Sequence, residues 1–103
     1  MRAMLVDSHC HLDFPELRAE LPALLSRMAA GGVTHALTIS TTLSGFPGVL
    51  AVAKSQPNLW CTAGVHPDER RDGREAGVDE LVGLASHPKV VAIGETGLDY
   101  FRV

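Results

Sequence analysis

The feature of this sequence that most restricts its fold is a regular alternation of short apolar runs with longer segments of helical periodicity. We predict strands in the segments 4–13, 33–40, 59–65 and 90–93. The first begins with apolar residues and ends in a polar cluster, as a buried parallel strand does at its carboxyl end, and β-branched and other apolar residues dominate the other three. Between the strands, apolar residues at helical spacing predict three helices that begin near Pro22, Pro47 and Val78. Alternation of this kind, with connections long enough for right-handed crossovers, predicts an α/β fold with a parallel sheet covered by helices.

Two connecting segments complete this prediction. Residues 14–19 are predicted as a turn or an irregular helical start, and the polar, glycine-containing segment 68–77 is predicted as a long loop. The whole chain, residues 1–103, is predicted to form one domain.

Composition excludes several classes of protein. The chain has 103 residues, 46% of them apolar and 20% charged, which is typical of one soluble globular domain. Its apolar runs fall far short of the about 20 residues needed to span a bilayer, and its start lacks a signal-peptide apolar region. A cytoplasmic location without a membrane partner is expected. The net charge of −3 argues against a broad phosphate-binding surface, so any nucleic-acid contact would be local.

The two cysteines are predicted to be buried small apolar residues. Cys10 and Cys61 lie in predicted strands and form no CxxC motif, so neither a disulfide nor a metal-binding cysteine pair is indicated.

The clearest chemical signal is the pair His9 and His11 at the end of the first predicted strand. Residues two apart on an extended backbone project to one side, with Cα atoms roughly 6.5–7 Å apart. Metal–nitrogen bonds of about 2.0–2.1 Å would let both imidazoles reach one cation. Alternatively, the pair simply ends a strand and bonds to nearby backbone. The neighbouring Asp7 and Asp13 favour metal ligation.

Two more candidates follow later strands. Glu95 comes after a wholly apolar strand, between Gly94 and Gly97; its carboxylate could bridge two cations about 3.5–4 Å apart or could be merely solvated. His66 ends the third predicted strand, and structural and active-site roles are equally compatible with its position.

Topology sorts the histidines. In a parallel (β/α) barrel the carboxyl ends of the strands form the rim that carries chemistry. His9, His11, His66 and Glu95 are predicted on this rim, and His35 and His87 on the opposite one. Asp7 is the best candidate to contact and orient a ligand. Other polar and aromatic residues are weaker functional candidates. Asp13 and Asp99 are predicted to stabilise turns, Trp60 and Phe101 to pack in the core or at the rim. The arginines Arg70, Arg71 and Arg74 are predicted to be solvated in a loop.

Three motifs together make the chain recognisable. DSHCHLD at 7–13, GVHP at 64–67 and GETGLDYF at 94–101 resemble the TatD family of metal-dependent hydrolases, within the amidohydrolase-like barrels. The resemblance implies a TIM-type barrel, a site for one or two divalent metal ions and phosphodiester hydrolysis on DNA. It also implies that His9 and His11 bind the first metal, that Glu95 is a shared ligand, and that His66 lies near the substrate. Imidazole and carboxylate ligands fit zinc or manganese, and magnesium if few histidines bind.

The chain is shorter than the resemblance implies. A (β/α)₈ barrel typically needs about 250 residues, whereas four strands and three helices are predicted here, so a half barrel is expected. The two histidines and one aspartate that family members take from later strands have no counterpart. Weak or absent activity of the chain alone is expected. Because both edge strands would be unpaired, self-association is a further expectation.

Two other functions remain open at this point. The chain could be a non-catalytic truncated barrel or assembly module, or a hydrolase of another ester or amide substrate, because the fold does not fix the substrate.

Overall fold

The computed structural model describes residues 4–67 and 77–97. Within them lie four strands and four helices in strict alternation apart from one added short helix. The strands are β1 (Leu5–Cys10), β2 (Val33–Thr38), β3 (Leu59–Ala63) and β4 (Val90–Ile93). The helices are α1 (Pro15–Arg18), α2 (Leu21–Ala30), α3 (Phe46–Lys54) and α4 (Val78–Ala85).

The strands form one parallel sheet in the order β1-β2-β3-β4. Thr38 of β2 pairs with both Cys10 of β1 and Cys61 of β3, so β1 and β2 end level and β3 extends two residues further. Ala63 pairs with Ile93, so the segment that leads to His66 runs beside the one that leads to Glu95. The register therefore gathers the residues after all four strands at one edge of the sheet.

Helices cover one side of the sheet through two apolar clusters. The α3 cluster joins buried residues of α3, β3 and β4, and Leu84 and Ala85 of α4 pack against it; its buried members are Phe46, Val49, Ala53, Cys61, Ala63 and Val90. The α2 cluster contains Leu12, Ala36, Val52 and Leu59, covered by the α2 residues Leu21, Leu24, Leu25 and Met28. These are the residues whose helical spacing predicted α2.

Proline and glycine set the element boundaries as expected. Pro22 and Pro47 lie in the first turns of α2 and α3, where a missing N–H costs little. Gly32 has a φ of 93°, a backbone conformation that favours glycine, and it turns the chain from α2 into β2.

The element boundaries differ from the predictions at the ends of three strands and in one connecting segment. β1 ends at Cys10, three residues before its predicted end, and β2 and β3 end at Thr38 and Ala63, two residues before theirs. After β2, the Ser40 N–H bonds to the Thr62 hydroxyl instead of continuing the strand pairing. The segment predicted as a turn or irregular helical start contains the short helix α1. Most of the predicted loop 68–77 lies outside the described residues.

Apolar side chains remain exposed where the sheet ends. Met4, Leu5 and Val6 are exposed at the β1 edge, and Val91 and Ile93 are exposed at the β4 edge. On α4, Val78 and Val82 are also exposed, one turn apart. Among the described residues, no helix has the length and apolarity to cross a lipid bilayer.

Candidate metal centre

The structure brings together three of the predicted site residues at the carboxyl rim. One ligand atom from each of His9, His11 and Glu95 lies within 4.8 Å of the other two. The Oε2 atom of Glu95 is 3.7 Å from His9 Nε2 and 3.8 Å from His11 Nε2. The two imidazole rings meet edge to face, with centroids 5.2 Å apart. Side chains from the first and last strands of the sheet therefore converge on one point.

The donor set fits a divalent cation. Two ligand atoms that each lie about 2.1 Å from one ion are roughly 3.4 Å apart in tetrahedral geometry, close to the separations between Glu95 Oε2 and the two imidazoles. Two imidazole nitrogens with a carboxylate oxygen suit zinc or manganese, and magnesium prefers oxygen ligands. The exposed fractions of the side chains, 53% for His9, 24% for His11 and 26% for Glu95, leave the point accessible from solvent.

His11 is held with one ring nitrogen turned toward Glu95. Its Nδ1 lies 3.1 Å from the carbonyl oxygen of Ile39, which can only accept, so Nδ1 carries the proton in this contact. The lone pair is then on Nε2, the atom nearest Glu95. Phe14 stacks on the same ring with centroids 4.7 Å apart. A carbonyl and an aromatic face thus fix the tautomer and the orientation that a metal ligand needs.

His66 approaches the other oxygen of the same carboxylate. Its Nε2 is 3.3 Å from Glu95 Oε1, and its backbone N–H donates to the carbonyl of Thr41. Glu95 therefore presents Oε2 to His9 and His11 and Oε1 to His66. This arrangement places all four residues predicted for the carboxyl rim in one cluster.

The acidic neighbours take different positions. The Asp7 carboxylate accepts the backbone N–H of His9 at 3.1 Å and so restrains the main chain beside that ligand candidate. Burial raises the pKa of Asp13, against the opposing effects of its own backbone N–H, His11 and Arg18. Asp13 Oδ1 is buried without a hydrogen-bond partner among the described residues.

Cys10 does not join the cluster. It packs against the α2 cluster, and its thiol donates to the carbonyl of Leu37. Burial and the charges of Asp7 and Asp13 raise the pKa of Cys10 to about 12, so the thiolate form that metals bind is rare at neutral pH. Both cysteines are free thiols.

Two histidines lie away from the cluster. His35 stacks on Trp60, whose ring also contacts the Lys89 ammonium, and His87 accepts the Lys89 backbone N–H. Residues Arg70, Arg71, Arg74, Asp99 and Phe101 lie outside the described residues.

Sequence reasoning missed the groups that support Glu95. The Thr62 hydroxyl, the Ser40 backbone carbonyl and the bare backbone of Gly64 contact the peptide before Glu95. Thr62 gave no signal because threonine is common in strands. The glycine of the GVHP motif was the available clue.

Comparisons with known proteins identify the family. Residues 6–103 match the family model described as TatD related DNase. Over 100 residues the chain is 39% identical to the uncharacterized metal-dependent hydrolase YcfH of Escherichia coli K12, covering 94% of this chain and 37% of that protein. It is also 39% identical over 79 residues to the 3'-5' ssDNA/RNA exonuclease TatD of Salmonella typhimurium, covering 77% of this chain and 30% of that protein.

A solved structure confirms the fold. The chain superimposes on the crystal structure of YJJV, a TatD homolog from Escherichia coli K12, with a TM-score of 0.80 and 33% identity. The match covers 98% of this chain and 40% of YJJV, which confirms the predicted partial barrel of the parallel TIM-barrel type. The chain spans well under half the length of the relatives it matches. With a family model matched over nearly its whole length, this chain belongs to the TatD family.

Proposed function

We propose that the cluster of His9, His11 and Glu95 is a divalent-metal site for hydrolysis of phosphodiester bonds in nucleic acid. The observation that carries the proposal is the convergence of both Nε2 atoms on Glu95 Oε2 from opposite ends of the sheet. Ion pairing alone would not require two imidazoles on one carboxylate oxygen, and a shared cation accounts for all three positions.

The chain's own residues would hold and orient the ion. The hydrogen bond from His11 Nδ1 to the Ile39 carbonyl orients the ring so that Nε2 faces the site, and Asp7 restrains the backbone at His9. Glu95 would be a shared ligand if a second cation binds, because its Oε1 faces away from the first pair of imidazoles and toward His66. When bound, a divalent cation polarises a phosphoryl oxygen and lowers the pKa of a water toward about 7.

His66 is proposed as the active-site residue nearest the substrate. Its ring lies beside Glu95 Oε1 with 27% of the side chain exposed, so one edge is reachable from the rim. There it would orient a phosphate group rather than complete the first metal site.

Nucleic acid is the proposed substrate class, with DNA as the first candidate. The relative from Salmonella typhimurium is named an exonuclease for single-stranded DNA and RNA, so both polymers belong in the assay. The net charge of −3 limits contact with phosphates to the neighbourhood of the rim. A cytoplasmic location stays a prediction.

Activity of the 103 residues alone is expected to be low. The family resemblance implies further donors from later strands, two histidines and one aspartate, and each donor that is absent removes part of the free energy of metal binding. We therefore propose that these 103 residues bind metal more weakly than a full site does and have little or no turnover.

Calorimetric titration with Zn²⁺, Mn²⁺ and Mg²⁺ tests the site directly. The unmodified chain should bind Zn²⁺ or Mn²⁺, and His11→Ala and Glu95→Gln should each weaken binding by about ten-fold or more. His35→Ala is the matched control, because it removes a histidine from the opposite rim and should leave affinity unchanged. Binding unaffected by His11→Ala and Glu95→Gln would refute the site.

A nuclease assay separates the possible functions. Release of nucleotides from single-stranded DNA or RNA that depends on metal and on His9 would support a nuclease. Metal binding without any hydrolysis would not distinguish a non-catalytic module from the low turnover expected of these 103 residues, so a positive rate is the informative result. Hydrolysis only of simple esters or amides would assign the chain to another substrate.

We also propose that a second copy of the chain covers the exposed sheet edges. All strands are parallel, so β4 of one copy can extend the sheet of another at β1, and two such junctions would close a ring. Both edges carry exposed apolar residues, Leu5 and Val6 on one side and Val91 and Ile93 on the other. This arrangement would remove both unpaired edges from solvent.

A further inference from the structure

A set of buried hydrogen bonds connects β2 and β3 to the peptide that precedes Glu95. The Thr62 hydroxyl donates to the Gly94 carbonyl at 2.7 Å and accepts the Ser40 N–H at 3.0 Å. The Ser40 hydroxyl donates to the Thr62 carbonyl at 2.6 Å. Thr62 and Ser40 are 2% and 0% exposed, so the two bonds between them are shielded from solvent, whereas the bond to the Gly94 carbonyl is partly buried.

The same set reaches Glu95 itself. The Glu95 N–H donates to the Ser40 carbonyl at 2.9 Å, and the Gly94 N–H donates to the Ala63 carbonyl at 2.9 Å. Both peptide groups around Gly94 are therefore fixed by β3 and by Ser40, which follows β2, rather than by the loop after Glu95. The Glu95 side chain starts from a backbone position that its neighbours determine.

Gly64 provides the space for this approach. A Cβ built at Gly64 would lie 2.5 Å from the Gly94 oxygen and 2.8 Å from the Glu95 oxygen. Separations this short are not tolerated between a carbon and backbone oxygens, so a side chain at this position would push the Glu95 segment away. The contact involves backbone atoms, which cannot move aside as the end of a flexible side chain can.

We propose that Thr62 is a positioning residue for the metal site, whose hydroxyl fixes the Gly94 carbonyl and thereby directs Glu95 toward His9 and His11. The Thr62 hydroxyl is suited to this task because it accepts a hydrogen bond from the Ser40 N–H and donates one to the Gly94 carbonyl. Valine has the same shape but can do neither. The proposal rests on the metal site proposed above, but the position of Glu95 can be measured without metal.

Amide hydrogen exchange of metal-free protein tests the positioning. Thr62→Val should speed exchange of the Glu95 amide by about ten-fold or more relative to the Cys61 amide, which bonds to Lys89 within the sheet. Global destabilisation would speed both amides together, so their ratio reports the local effect. Thr62→Ser, which keeps the hydroxyl, should retain the normal ratio.

Thr34→Val is the matched control. Thr34 also donates its hydroxyl to the carbonyl of a neighbouring strand, Leu5, but near the start of β2. Its loss should not change the ratio. If Thr62→Val does not fold, Thr62→Ala takes its place in the experiment. If neither variant folds and Thr62→Ser does, the hydroxyl is needed for stability alone, and the proposal is overturned.

Cobalt titration gives the second readout. Followed by absorbance, Co²⁺ affinity should fall about ten-fold in Thr62→Val and stay within about two-fold in Thr62→Ser and Thr34→Val. Unchanged exchange ratio and unchanged affinity in Thr62→Val would overturn the positioning role. Absence of Co²⁺ binding by the unmodified chain would instead refute the metal site, and the exchange ratio would still decide whether Thr62 positions Glu95.

Discussion

At the scale of single residues, burial controls the chemistry of Cys61. Its side chain is fully buried in the α3 cluster, and burial raises the pKa of its thiol to about 11 against an opposing effect of the Lys89 charge. At pH 8.5 the thiolate fraction should be about 80-fold lower than for a thiol of pKa 9.0. Because the native pKa is the higher one, this thiol contributes full stability below pH 9 and loses it as the pH rises through 11.

Alkylation with iodoacetamide, followed by peptide mass spectrometry, checks this prediction. Native Cys61 at pH 8.5 should be labelled at least about 50-fold more slowly than the same residue in urea. The urea sample is the control for intrinsic reactivity. Rapid labelling of Cys61 in protein that keeps its native circular dichroism would contradict the burial described here.

The same scale shows what sequence could predict of the site. The convergence of His9 and His11 was predictable because strand residues two apart project to the same side of the sheet. Their position at the carboxyl rim was predictable because the carboxyl ends of parallel strands lie at one edge of the sheet. The direction of Glu95 was not, since it depends on the Thr62 hydroxyl and on space at Gly64, contacts between residues about 30 positions apart. Metal ligation by these residues stays a prediction.

At the scale of elements, one glycine controls the turn from α2 into β2. Gly32 has a φ of 93°, whereas its neighbour Gly31 has a φ of −82° and ψ of −1°. A Cβ at Gly31 would meet only ordinary contacts, 3.5 Å and 3.6 Å from the carbonyl oxygens of Arg27 and Met28. A side chain should therefore lower the free energy of unfolding at Gly32 but not at Gly31.

Urea unfolding of the two alanine variants measures that difference. Gly32→Ala should lower the free energy of unfolding by about 1 kcal/mol, because alanine resists positive φ. Gly31→Ala should be neutral or stabilising by about 0.5 kcal/mol, because alanine restricts the unfolded chain. Equal effects of both substitutions would show that the turn does not depend on the conformation of Gly32.

Element order was largely predictable, and element ends were less so. The periodicity of apolar residues and the positions of turn residues predicted all four strands. The ends of β2 and β3 were not predicted, because Ser40 and Gly64, which follow them, contact neighbouring strands. Those contacts arise only after the sheet has assembled. The helix α1 is four residues long, too short for apolar periodicity to be detected.

At the scale of the whole molecule, the two ends of the sheet should determine its association. If β4 of one copy lies beside β1 of the other, charges placed on both edges will face each other across the junction. Val6 and Val91 are exposed at these edges and offer suitable positions. Like charges there should separate the copies, and opposite charges should let them pair.

Light scattering after size exclusion measures the mass of each variant. The unmodified chain of 11.0 kDa should elute at twice that mass. Val6→Lys combined with Val91→Lys should elute as a monomer, whereas Val6→Lys combined with Val91→Glu should recover the dimer in part. Leu17→Lys, on α1, is the control for adding charge and should remain dimeric. Recovery of the dimer by opposite charges requires β1 of one copy to face β4 of another. Equal masses for the two double variants would therefore exclude this arrangement. A monomeric unmodified chain would exclude pairing of copies altogether.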